Sequence, residues 1–166
     1  MKTLLILRHA KSSWKDETLP DHERPLNKRG KQSAPLMGEL IRREGLLPDL
    51  VLCSTAKRAR QTADLVAEAS DYQGEIEHLR ELYAAPPQAY LQALTKLDDK
   101  YERVMVVGHN PGLEELLQAL TGEVQPLPTA ALAQVELPIQ RWAEVKSVRR
   151  GRLVEIWRPK ELGQGE

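Results

Sequence analysis

Three short stretches of the chain carry no polar position at all: Leu4-Leu5-Ile6-Leu7, Leu50-Val51-Leu52-Cys53 and Val104-Met105-Val106-Val107. Apolar runs of this length read as strands covered on both faces, the pattern found in the middle of a parallel or mixed sheet. Between them the apolar spacing lengthens to that of helices. Asn27 is placed to cap a helix running towards Glu44 and stopping at Gly45, with Leu36, Leu40 and Ile41 as its apolar stripe and Pro35 expected to break or kink it. After the second run, Ser54 or Thr55 is the expected cap of a helix whose Ala56, Ala59, Ala63 and Val66 share one small-residue face. Glu75 to Leu79 predicts a short strand, and Pro86-Pro87 opens a helix carrying Tyr90, Leu91, Leu94 and Leu97.

Beyond Val107, Asn110 reads as a cap and Pro111 as the first residue of a helix with Leu113, Leu116, Leu117 and Leu120 on one face. Ala131 to Leu137 and Leu153 to Trp157 predict an antiparallel pair at the sheet's edge, joined through a connection that contains Trp142. Strands alternating with helices in this order predict an α/β fold, a three-layer α/β/α sandwich with a mixed, mainly parallel sheet, over a single domain of residues 1–166. The stretch from Ala10 to Leu26 is polar and aperiodic, a loop long enough to be functional.

Composition narrows the classes. With 24 Lys plus Arg against 24 Asp plus Glu, the net charge is +0. A neutral chain lacks the basic excess that nucleic-acid binding requires, so charge selectivity must be local. The one cysteine, Cys53, excludes an internal disulfide and fits a reducing compartment. The four-residue apolar run at the N-terminus ends in Arg8-His9, which matches neither a signal peptide nor a membrane span, so a cytoplasmic protein is expected.

The chemistry gathers at strand ends. Arg8-His9 follows the first run, Ser54 through Arg58 the second, and His109-Asn110 the third. On one carboxyl edge they would form a pocket with two guanidinium groups, two imidazoles and a helix N-terminus, a set suited to an anion and above all to phosphate. Arginine's planar fork pairs two phosphoryl oxygens at once.

Arg8-His9, the stretch from Ser54 to Ala63 and Gly108-His109 together resemble the histidine phosphatase superfamily, whose fold is that of phosphoglycerate mutase. The short length and the Arg24-Pro25-Leu26 segment before a helix resemble its SixA-type protein-phosphohistidine phosphatases. The resemblance implies that His9 is the nucleophile that becomes phosphorylated and that Arg8, Arg58 and His109 bind the phosphoryl oxygens, with Arg24 as a further arginine from the loop. It also implies Glu81, in Leu79-Arg80-Glu81, as first candidate for a general acid; Asp21 in the long loop is the second. Ala10 stands where the family more often has Gly. No cofactor and no metal are implied. The expected substrate is a phosphorylated histidine on a partner protein of a signalling or phosphorelay system, with a small phosphomonoester as the alternative.

Rival classes fit less well. A cysteine-based phosphatase needs five residues between its Cys and Arg, whereas four separate Cys53 from Arg58 and six separate it from Arg60. No two histidines stand one helical turn apart, as a metallophosphatase would use them. A mutase calls for a closed site, and little chain is left over to close it. A phospho-ligand binding module would keep the arginines but has no need of both His9 and His109. His22 and His78 read as surface or structural residues, and Trp14 as a loop aromatic that packs on its own domain or stacks on a substrate ring.

Overall fold

The computed structural model describes residues 1–162, so the last four residues of the expected 1–166 unit lie outside the described residues. Six strands, β1 (Lys2–Arg8), β2 (Leu50–Ser54), β3 (Ile76–Leu79), β4 (Arg103–Gly108), β5 (Leu132–Leu137) and β6 (Arg152–Trp157), form one sheet in the order β3-β2-β4-β1-β5-β6. The first four are parallel, and β5 and β6 add an antiparallel pair on the β1 side. The apolar runs occupy the adjacent central positions β2, β4 and β1, where both faces are covered. This is the expected mixed, mainly parallel sheet.

Alternate side chains of each central strand point to opposite faces, and two cores result. Leu4, Ile6, Leu52 and Val106 join Tyr90 and Leu94 of α3 (Pro87–Thr95), Leu113, Leu116 and Leu117 of α4 (Gly112–Thr121), and Trp142. Leu5, Leu7, Cys53 and Val107 join Met37, Leu40 and Ile41 of α1 (Lys28–Arg43) and Ala59, Ala63 and Val66 of α2 (Lys57–Ser70). The small-residue face of α2 thus packs on the sheet as its composition implied.

Local expectations differ from the structure at four points. Pro35 lies inside α1 without ending it. Packing accounts for that: α1 lies so close to α2 that a Cβ on Gly38 would fall 2.6 Å from the Val66 carbonyl oxygen, and such burial overrides one missing N–H. Met37 rather than Leu36 completes the buried stripe of α1. Neither Ser54 nor Thr55 caps α2; the cap position is Ala56, because both hydroxyls have partners elsewhere. Pro111, not Asn110, stands at the cap of α4, since the Asn110 amide is drawn to acceptors on Glu114 and Leu127. Asn27 does cap α1, accepting from the Gly30 N–H at 2.8 Å.

Candidate active site

The parallel strands deliver their C-terminal ends to one edge of the sheet, and the expected residues meet there. His9 follows β1, its main chain held by hydrogen bonds to Gly108 at the end of β4 and to Ala130 before β5. The next N–H, of Ala10, donates to Thr62 Oγ1 of α2 at 2.9 Å. His9 is therefore anchored from three elements. Its Nδ1 lies 2.7 Å from the Ala10 carbonyl oxygen, which can only accept, so Nδ1 carries the proton and Nε2 is left with a lone pair. Burial, followed by the neighbouring His109, Arg58 and Arg8, brings its pKa down to about 3. The ring is neutral at physiological pH.

His109 stands opposite, its ring centroid 5.2 Å from that of His9. Its Nε2 lies 2.7 Å from Ser54 Oγ, and burial together with Arg58 lowers its pKa to about 4. The Ser54 oxygen already accepts from the Ala56 N–H. Ser54 Oγ can donate to Nε2 or accept from it; in the tautomer in which it donates, the proton of His109 sits on Nδ1, a buried atom with no partner in the protein.

Arg8 donates through Nη1 to the Leu127 carbonyl at 3.0 Å. Arg58, in the first turn of α2, donates through Nη1 to the Asp21 carbonyl at 2.8 Å and through Nη2 to Asp21 Oδ2 at 3.1 Å. Arg24 donates through Nε to Asp21 Oδ1 at 3.0 Å and through Nη1 to Ser12 and Ser13. Nε of Arg8 and Nε of Arg58 are buried and unpartnered, like Nδ1 of His109. A buried donor without an acceptor is costly, and two guanidinium donors at one cleft, joined by His109 Nδ1–H in that tautomer, fit an anion with several acceptor oxygens. The cleft has a volume of about 320 Å³ and is lined by Arg8, His9, Arg24, Arg58 and His109, with Lys11, Ser12, Trp14, Asn110 and Thr129.

The two candidate acids fare differently. Glu81 is exposed on a single 3-10 turn, Arg80–Leu82, and is absent from the cleft lining. Asp21 is close, but Tyr83, Arg24 and Arg58 all donate to its carboxylate and hold its pKa well below the usual range, the Tyr83 hydroxyl at 2.6 Å contributing most. An ionised carboxylate has no proton to give, so its place is that of a counter-charge between two arginines. Cys53 is fully buried, with its thiol pushed up to about 12 by burial, and acts as a small core side chain.

A family model for the histidine phosphatase superfamily (branch 1) matches residues 4–86. The chain belongs to this superfamily. A chloroplastic protein of Arabidopsis thaliana is 32% identical over 152 residues, covering 86% of this chain and 70% of its own. The crystal structure of SixA from Agrobacterium tumefaciens superposes with a TM-score of 0.82 at 31% identity, covering 95% of this chain and 98% of that one. The protein histidine phosphatase SixA complexed with tungstate gives 0.80 at 28% identity, over 96% and 99% of the two chains. The protein is thus a phosphatase of the SixA-type branch with a phosphoglycerate mutase-like fold.

Some residues of this candidate site had no signal in the sequence. Glu114 Oε2 accepts from the Leu127 N–H at 2.7 Å and from Asn110 Nδ2 at 3.0 Å, and the Leu127 carbonyl in turn accepts from Arg8 and Asn110. Glu114 thereby holds the loop that holds Arg8. Tyr83 reaches Asp21 across 62 positions and sets its ring edge-on to both His22 and His109. A ring so far away in sequence becomes a neighbour only through the sheet order. Among the described residues no helix is long and apolar enough to cross a membrane.

Proposed function

We propose that the protein hydrolyses a phosphohistidine on a partner protein through a covalent phosphoryl intermediate on its own His9. Phosphoryl transfer depends on positioning and charge neutralisation. Nε2 of His9, neutral and aimed by its Nδ1 bond, donates its lone pair to phosphorus as the substrate's P–N bond breaks and the electron pair leaves with the departing imidazole. Arg8, Arg58 and Arg24 take the phosphoryl oxygens, and Nδ1–H of His109 adds a fourth donor as charge shifts in the transition state. Water then attacks phosphorus, the bond to His9 breaks, and inorganic phosphate departs.

The observation that carries the choice of substrate is the lining of the cleft: among the described residues it includes no carboxylic acid. An alkoxide leaving group needs a proton from a general acid. A phosphorylated imidazole takes its proton from solvent on its second ring nitrogen and leaves unaided. A cleft of about 320 Å³ also admits a small phosphomonoester, which is the second reading. The single, buried Cys53 suits the cytoplasm.

The test is single-turnover hydrolysis of a phosphohistidine protein beside p-nitrophenyl phosphate, in EDTA, with trapped label mapped by its acid-labile, base-stable linkage. Label on His9 and faster turnover of phosphohistidine are expected. His9→Ala should lose turnover yet still bind vanadate through the arginines; hydrolysis by that variant would sink the mechanism. Preference for the ester, with label still on His9, would move the substrate to small phosphomonoesters.

A further inference from the structure

Trp14 packs on its own domain through one face only: 72% of it is exposed, at the mouth of the catalytic cleft. One face of the indole lies over the Arg24 guanidinium, with Cζ 3.5 Å from the ring centroid, a stacked cation–π pair. Arg24 is itself fixed by Asp21, Ser12 and Ser13. The loop stem beneath Trp14 is fastened as well. Ser13 N–H donates to the Pro25 carbonyl at 2.8 Å, and Asn27 N–H to the Lys11 carbonyl at 3.0 Å. Ordering this indole for a ligand therefore costs little further entropy, which is the advantage of preorganisation.

Arginines suffice for phosphoryl oxygens, and an indole face offers them nothing. What it offers is a flat apolar surface to another planar ring. With His9 inside the cleft, the part of a substrate that extends to the mouth is the group leaving phosphorus. Resting on the phosphotransfer reading above, we propose that Trp14 is the specificity-determining residue of this site. Its open face stacks on a planar leaving ring, and the ring it receives is the imidazole of a protein-borne phosphohistidine. An aryl ester presents the same chemistry in a small molecule.

The experiment compares kcat/KM for a phosphohistidine peptide, p-nitrophenyl phosphate and glycerol phosphate in the wild type, Trp14→Phe and Trp14→Ala. Loss of the stack should lower the ratio of phosphohistidine to glycerol phosphate about tenfold in Trp14→Ala, while Trp14→Phe keeps most of it. An equal fall on all three substrates would overturn the proposal, since Trp14 would then only hold Arg24 in place. An unchanged ratio would overturn it too. A wild type inactive on phosphohistidine, whose preference for the aryl over the alkyl ester is lost in Trp14→Ala, would refute the substrate reading and uphold ring stacking.

Discussion

Asp21 grips Arg58 at two points, the main-chain carbonyl accepting from Nη1 at 2.8 Å and the carboxylate from Nη2 at 3.1 Å. The same carboxylate accepts from Arg24 Nε, so one negative charge sets two guanidinium groups side by side. Without it the two cations would repel each other and lose their common orientation.

Asp21→Asn is therefore expected to lower kcat/KM by about ten- to a hundredfold, the range for a misplaced oxyanion partner. The variant also changes acid stability. The Asp21 pKa is depressed in the folded protein, so its stabilisation is present above the unfolded value near pH 4 and is lost as pH falls through the folded one. About half of its side chain is exposed, so solvent screening keeps the contribution small. Urea midpoints of the two proteins should lie further apart at pH 6 than at pH 3, and a constant gap would contradict the linkage.

His9 and His109 are expected to keep neutral imidazoles in the free enzyme across pH 5 to 8. Their pKa values of about 3 and about 4 lie below the ordinary 6.5 because of burial. The unfolded chain takes up these protons first, so each costs stability as pH falls from about 6.5 towards its folded value and costs none above. Ring-proton NMR shifts of both residues should stay flat over that range. A titration midpoint near 6.5 in the free enzyme would show that the burial effect is overstated.

Glu114 is not among the residues that line the cleft and acts through Leu127 and Asn110 on Arg8. Glu114→Ala should reduce kcat/KM about tenfold by releasing the Arg8 anchor. Glu114→Gln keeps an oxygen acceptor for the Leu127 N–H and should recover most of the loss. Steady-state kinetics together with melting temperatures decide the matter. Equal losses in the two variants would assign the effect to the charge of Glu114 rather than to its hydrogen bonds.

Four consecutive apolar positions repeated three times were enough to determine the central strands, because a strand buried on both faces is built almost wholly of apolar side chains. Arg8-His9, Arg58 and Gly108-His109 were legible for a related reason: in a parallel sheet each follows a strand that must end on the same edge. Local competition escaped the pattern. Pro35 continues its helix, and the hydroxyls of Ser54 and Thr55 serve His109 and His22 rather than the helix N-terminus. Those outcomes depend on partners tens of residues away, whose positions the strand order alone supplies. The same holds for the roles of Asp21 and Trp14. Either could have been a solvent-facing loop residue, and only the fold brings Arg58 and Tyr83 to the first and lays the guanidinium of Arg24 beneath the second. The sequence determined which chemistry is present; tertiary structure decided which groups stay neutral, which stay charged and what reaches the mouth of the cleft, because burial and long-range contacts govern all three.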